Sequence, residues 1–169
     1  YKPFDPSNKD NLTPRIELSR FTSRKDLLNA IDGIRISGNG AESVEFYKGQ
    51  AYDVILGSAK DAFDLEKEDP KTHELYGTAA IGQQLLLARR LAEYGTRFVT
   101  IHYGGWDMHG NISKAIQGKV PPIDKAISGF LQDVWDRGLS EKIMLVVTGE
   151  FGRTKINANS GRDHWPAIT

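Results

Sequence analysis

Hydrophobic and polar positions along the chain change period twice. Residues 1–18 carry Pro3, Pro6 and Pro14 among Asn, Asp and Ser, and read as a surface loop. From Ser23 a short helix is expected, with Ser23 as N-cap, Asp26 completing a box-like start and Gly33 as the stop. Residues 42–65 place Val44, Tyr47, Ala51, Val54, Ile55, Ser58, Ala62 and Phe63 at helical spacing, with Gly49 and Gly57 weakening one unbroken rod. Asp69-Pro70 interrupts that pattern. A third helix is expected over residues 78–94, with Ile81, Leu85, Ala88 and Ala92 on one face and Gly95 in the position that ends a helix. The period then changes. Residues 96–102 are β-branched and aromatic and predict a strand. A Gly-rich loop follows to about Val120. Pro121-Pro122 is expected to open a helix with Ile123, Ile127, Phe130 and Val134 on one face, ended by Gly138. Residues 142–148 predict a second strand of the kind suited to a buried position, and everything beyond Thr148 reads as loop.

Strand, helix and strand over residues 96–148 predict a parallel pair joined by a right-handed crossover. The fold class expected is α/β, with a helix-rich front half. Two parallel strands do not make a sheet, so the expectation is a single α/β domain of which residues 1–169 are the central part, incomplete at both ends.

Composition narrows the function. The chain has 169 residues, and 22 Lys+Arg balance 22 Asp+Glu. With no net charge and no basic stripe interleaved with aromatics, nucleic acid is not an expected partner. Apolar runs such as residues 143–147 are too short to span a bilayer. The absence of Cys excludes disulfides, thiolate metal sites and a Cys nucleophile.

In an open parallel sheet, ligands bind beyond the carboxyl ends of the strands. The two loops at those ends hold three of the four histidines, together with carboxylates and arginines. One is HYGGWDMHGN at residues 102–111. The other is TGEFGRT at residues 148–154, followed by GRDHWP at residues 161–166. Asp107 and His109 are separated by one residue, so an extended backbone sets both side chains on the same side, within reach of one ion. Imidazole with carboxylate suits Zn²⁺, Mn²⁺, Fe²⁺ or similar divalent ions. Glu150 can add an oxygen ligand and His164 can close the site, while Arg153 and Arg162 are natural clamps for phosphate or sulfate. Metal, arginine and a cleft together are the layout of metal-assisted ester hydrolysis. The plainer readings are an Asp163–His164 hydrogen bond that orders a loop, an Arg153–Glu150 ion pair, Trp106 and Trp165 as loop anchors, and glycines that serve tight turns. His102, at a strand end, is either a donor behind a metal ligand or a histidine at the edge of the core.

These three motifs, in this order, resemble the signature of the DUF1501 family, bacterial proteins abundant in planctomycetes. The resemblance runs from about residue 15 onward, through Ala62 to Leu65, Tyr76-Gly77 and the segment from Leu87 to Val99. Met108 stands where the family usually has Thr. The resemblance implies a fold similar to the alkaline phosphatase and sulfatase superfamily, and an exported protein (periplasmic or cell-surface) carried by a leader ahead of this chain. It implies a divalent metal (Zn, Mn, Ca or Mg) on Asp107, His109, Glu150 and His164, and a phosphate or sulfate ester, of a small molecule or a polysaccharide, as substrate. Phe151 falls where that superfamily commonly has a second His. The nucleophile and its neighbouring Asp are implied to come from an early strand that this chain does not contain. The resemblance is equally compatible with a catalytically silent binding or cell-surface structural protein.

Overall fold

The computed structural model describes residues 15–32, 46–49, 52 and 59–167. The chain divides into two compact units, residues 1–65 and 66–169.

In the first unit, α1 spans Leu18–Asp32. It starts five residues before the expected cap. Ser23 lies inside it, and its hydroxyl donates to the Ser19 carbonyl at 3.0 Å, as Thr22 does to Leu18. A hydroxyl that bonds back one turn satisfies itself without ending the helix. Leu27 and Ile31 are exposed on it. Phe21 meets the Tyr52 ring edge-on at 6.0 Å, and Lys25 Nζ lies 4.9 Å from that ring. Gly33 and most of the helix expected over residues 42–65 lie outside the described residues. A single turn, α2 (Ala59–Ala62), precedes a 3-10 turn at Leu65–Lys67.

The second unit is built on three helices: α3 (Pro70–Tyr76), α4 (Ala80–Glu93) and α5 (Ile112–Asp136). Asp69-Pro70 opens α3, where the sequence suggested only a break. The Asp69 carboxylate accepts from the Lys71 N–H at 2.7 Å, and Pro70 fills a first-turn position whose missing N–H costs nothing. Both longer helices end as their glycines predict. Gly95 (φ 92°) donates to Ala92 O and Thr96 to Leu91 O, while Gly138 (φ 65°) donates to Trp135 O and Leu139 to Val134 O. This paired arrangement requires a left-handed residue, which glycine adopts without strain.

Tyr76, Ile81, Leu85, Leu86, Ala126, Phe130 and Val134 form the core. Two helical glycines let α3 sit against both neighbours. A Cβ on Gly82 would fall 2.3 Å from the Tyr76 carbonyl oxygen, and one on Gly129 would fall 2.3 Å from that of Leu75. Below this core lies an ionic network. Arg89, with 1% of its surface exposed, has Nε 2.8 Å from Asp133 Oδ2 and Nη2 2.9 Å from Glu68 Oε2. Those two contacts lie off the N–H directions, so opposite charge holds them more than directed hydrogen bonding. Tyr76 donates to Asp133 Oδ2 at 2.9 Å, Arg137 donates to Asp133 Oδ1 at 2.6 Å, and Arg90 pairs with Glu68. Burial tends to raise the Glu68 pKa, but the surrounding guanidinium groups, Arg89 first, outweigh it and lower it.

The expected parallel strands do not form. Among the described residues, 96–102 and 142–148 have no ladder partner. Phe98 and Met144 are each 85% exposed. β-branched composition favours a strand only where a neighbouring strand takes up its backbone groups, and none of the described residues supplies one beside these segments. The sheet that does form is an antiparallel pair, β1 (Gly152–Ile156) with β2 (Arg162–Trp165), in the region that reads as loop. The architecture is thus mixed helix with a two-stranded antiparallel hairpin. Helix α5 also begins nine residues before Pro121 and carries both prolines inside it. An interior proline costs about 3 kcal/mol. The turns ahead of the prolines are tied to the rest of the unit, where Ile112 N–H donates to Ser160 O at 2.8 Å and Lys119 Nζ donates to Gly104 O at 2.9 Å.

Candidate metal centre

The hairpin and the segment before α5 assemble the site. Arg153 and His164 are direct cross-strand partners in the β1–β2 register, which puts both side chains on one face of the ribbon. A register irregularity follows between Arg153 and Ile156. Residues 108–112 run along the end of the hairpin: Arg162 N–H donates to Met108 O at 2.9 Å, Asn111 N–H to Asn159 O at 3.1 Å, and Gly110 bridges Ser160. That approach requires Gly161, where a Cβ would fall 1.9 Å from the His109 carbonyl carbon. The loop ahead is held to α5 by Lys119, whose Nζ lies 5.2 and 5.5 Å from the Tyr103 and Trp106 ring centroids. Trp106 donates to Tyr103 O at 2.7 Å and so anchors this loop.

Asp107 Oδ1 is the centre of the cluster. It accepts from Arg153 Nη1 at 2.6 Å and lies 2.8 Å from His164 Nε2 and 2.9 Å from His109 Nε2. The other nitrogen of His109, Nδ1, is 2.7 Å from Asp163 Oδ1. His164 stacks at a tilt on Phe151, with ring centroids 4.6 Å apart, and the Arg153 guanidinium lies over the same Phe151 ring, 5.0 Å from its centroid. Arg153 and then His164 hold the Asp107 carboxyl far below the usual carboxylate range. The Asp163 carboxylate raises the His109 pKa, and His109 with Asn157 lowers that of Asp163. An imidazole with a carboxylate at each nitrogen favours the doubly protonated form.

Three potential ligand atoms, one each from Asp107, His109 and His164, lie within 4.8 Å of one another, and all three residues are exposed. Two imidazoles and a carboxylate form a donor set that fits a borderline divalent ion, with open positions left for water or substrate. Glu150 is exposed and stands outside this group of three, as does His102. Arg153 reaches the cluster. Arg162 braces the hairpin, with Nε donating to Thr154 O and Nη2 to Arg153 O. Asp163, which sequence spacing suggested as a partner of His164, pairs with His109. Asn157 is the residue that sequence reading missed. Its Nδ2 donates to His109 O at 3.2 Å and Asp163 Oδ2 at 3.1 Å, while its Oδ1 accepts from the N–H groups of Asn159 and Gly161. An Asn four residues before a Gly is an available turn signal, but its reach to His109 is not local.

The family described as protein of unknown function, DUF1501, matches residues 3–169. The chain belongs to the DUF1501 family. No curated protein and no solved structure matches it. Within this DUF1501 chain, all three sequence motifs meet at Asp107. Among the described residues, no helix is long and apolar enough to cross a membrane.

Proposed function

We propose that this DUF1501 protein is an exported, metal-dependent hydrolase of phosphate or sulfate esters, with a polysaccharide or small-molecule ester as substrate. The observation that carries this reading is the convergence of Asp107, His109 and His164 ligand atoms within 4.8 Å on a solvent-facing surface. A divalent ion held there supplies Lewis-acid polarisation of an ester oxygen. Asp107, His109 and His164 would hold that ion with the atoms that face one another at 2.8 and 2.9 Å. Arg153, which donates to Asp107 at 2.6 Å, would stand beside that ion, where a guanidinium can take the anionic group of the ester. The finer fold proposed is alkaline phosphatase- and sulfatase-like, a reading that rests on the resemblance of the three motifs.

A second reading is a binding or cell-surface structural protein without catalysis. It is favoured by the way the cluster satisfies itself: Asp107 Oδ1 already has three side-chain nitrogens within 2.9 Å, and Phe151 packs on His164. Elemental analysis after reconstitution with Zn²⁺, Mn²⁺, Ca²⁺ or Mg²⁺ separates the two. The hydrolase reading expects stoichiometric metal that is lost in Asp107→Ala, followed by turnover of a phosphate or sulfate ester. Absence of bound metal from the wild-type protein sinks it in favour of the binding role.

A further inference from the structure

His109 lies between two carboxylates that differ in kind. Its Nε2 faces Asp107 Oδ1 and the neighbouring His164, the residues of the ligand group. Its Nδ1 faces Asp163 Oδ1 at 2.7 Å. The two nitrogens of an imidazole open on different flanks of the ring, so Asp163 stands away from the ligand atoms and outside their group. It is also fixed by contacts that do not involve His109. Its backbone N–H donates to Thr154 Oγ1 at 2.9 Å, and its Oδ2 accepts from Asn157 Nδ2 at 3.1 Å. Asn157 is itself locked by two backbone N–H groups, from Asn159 at 3.0 Å and Gly161 at 2.9 Å, and it reaches the His109 carbonyl with the same amide nitrogen. An ionised carboxylate has no proton to give, so the hydrogen in the His109–Asp163 contact comes from Nδ1.

We propose that Asp163, held by Asn157, is a positioning residue that keeps the proton of neutral His109 on Nδ1, so that the Nε2 lone pair faces Asp107 and His164 and is free to take a divalent cation. The cation part of this inference rests on the metal reading above; the tautomer part does not. A free histidine side chain prefers the proton on Nε2, so an Nδ1–H tautomer is a signature of the contact and not of the residue. Carboxylates behind metal-binding histidines fix the ring in this way and raise its basicity.

The test is nitrogen-15 imidazole NMR of the metal-free full chain under conditions where His109 is neutral. His109→Gln assigns the signal, and Zn²⁺ titration follows on the same samples. In the wild type His109 is expected as Nδ1–H. Asp163→Asn retains an acceptor oxygen and is expected to keep that tautomer. Asp163→Ala is expected to revert to Nε2–H and to bind Zn²⁺ about 10–100-fold more weakly. Three results overturn the proposal: an Nε2–H tautomer in the wild type, an Asp163→Ala protein unchanged in both tautomer and Zn²⁺ affinity, or loss of Zn²⁺ stoichiometry in Asp163→Asn with the tautomer intact. The last result makes Asp163 a ligand. If the wild type binds no Zn²⁺, the metal reading fails on its own, and the tautomer still decides the role of Asp163.

Discussion

Two regions of the second unit gather charged groups around one centre, and they do so in opposite surroundings. In the helical core, Arg89 stands between Glu68, Glu93 and Asp133 with 1% of its side chain exposed. At the hairpin, Asp107 collects Arg153, His109 and His164 with 60% of its side chain exposed. The chemistry of the contacts is the same, but water makes the difference. Inside, each group has lost its hydration, and its partners are the only compensation available. Outside, water competes for every contact, so a donor can leave and a ligand can enter at small cost. The buried network therefore specifies the packing of α3, α4 and α5. The exposed cluster is suited to exchange partners, as a binding site must.

Breaking that comparison starts with Arg89→Met, where the effect is largest. Removing the cation leaves Glu68 and Asp133 buried without their main partner, and a loss of about 3–5 kcal/mol is expected in chemical denaturation of the full chain. A shift no larger than that of a surface substitution would mean the network is not load-sharing with the core. Acid is the next probe. Glu68 has a folded pKa lowered from its ordinary value, chiefly because the arginines around it outweigh its burial. A depressed carboxylate contributes stability that is present above its unfolded pKa and is lost as pH falls through the folded value. Unfolding midpoints measured from neutral pH downward should decline below about pH 4.3, the ordinary Glu value. That decline should be shallower in Glu68→Gln. The smallest expected effect is at the hairpin. His164→Ala should leave the melting temperature close to that of the wild type while removing a metal ligand. A large thermal destabilisation would recast the exposed cluster as a structural one.

The readable parts of this chain are those in which the physics is local. Gly95 and Gly138 end their helices because a left-handed residue is needed at those points whatever lies nearby. Ile81, Leu85, Phe130 and Val134 are buried as their spacing predicts. Asp107 and His109 meet because they are two residues apart. Arg89 and Arg90 were not legible as interior residues, since arginine belongs outside unless carboxylates arrive from elsewhere, and Glu68 and Asp133 come from distant segments. Residues 96–102 and 142–148 have the composition of strands without pairing as strands, whereas residues 152–156 and 162–165 pair despite their Gly and polar content.

By itself, the sequence determined the helix ends, the apolar faces of α4 and α5, the Asp107–His109 pair and the kind of donor available to an ion. The tertiary structure alone decided which donors meet. His164 and Arg153 reach Asp107 because the hairpin register places them opposite one another, and Asp163 rather than Glu150 joins His109 because Gly161 and Asn157 draw residues 108–112 against the turn. Local conformation follows from short-range sterics and hydrogen bonds that a few neighbouring residues carry. A constellation depends on closing loops tens of residues long, and that outcome belongs to the packing of the whole unit.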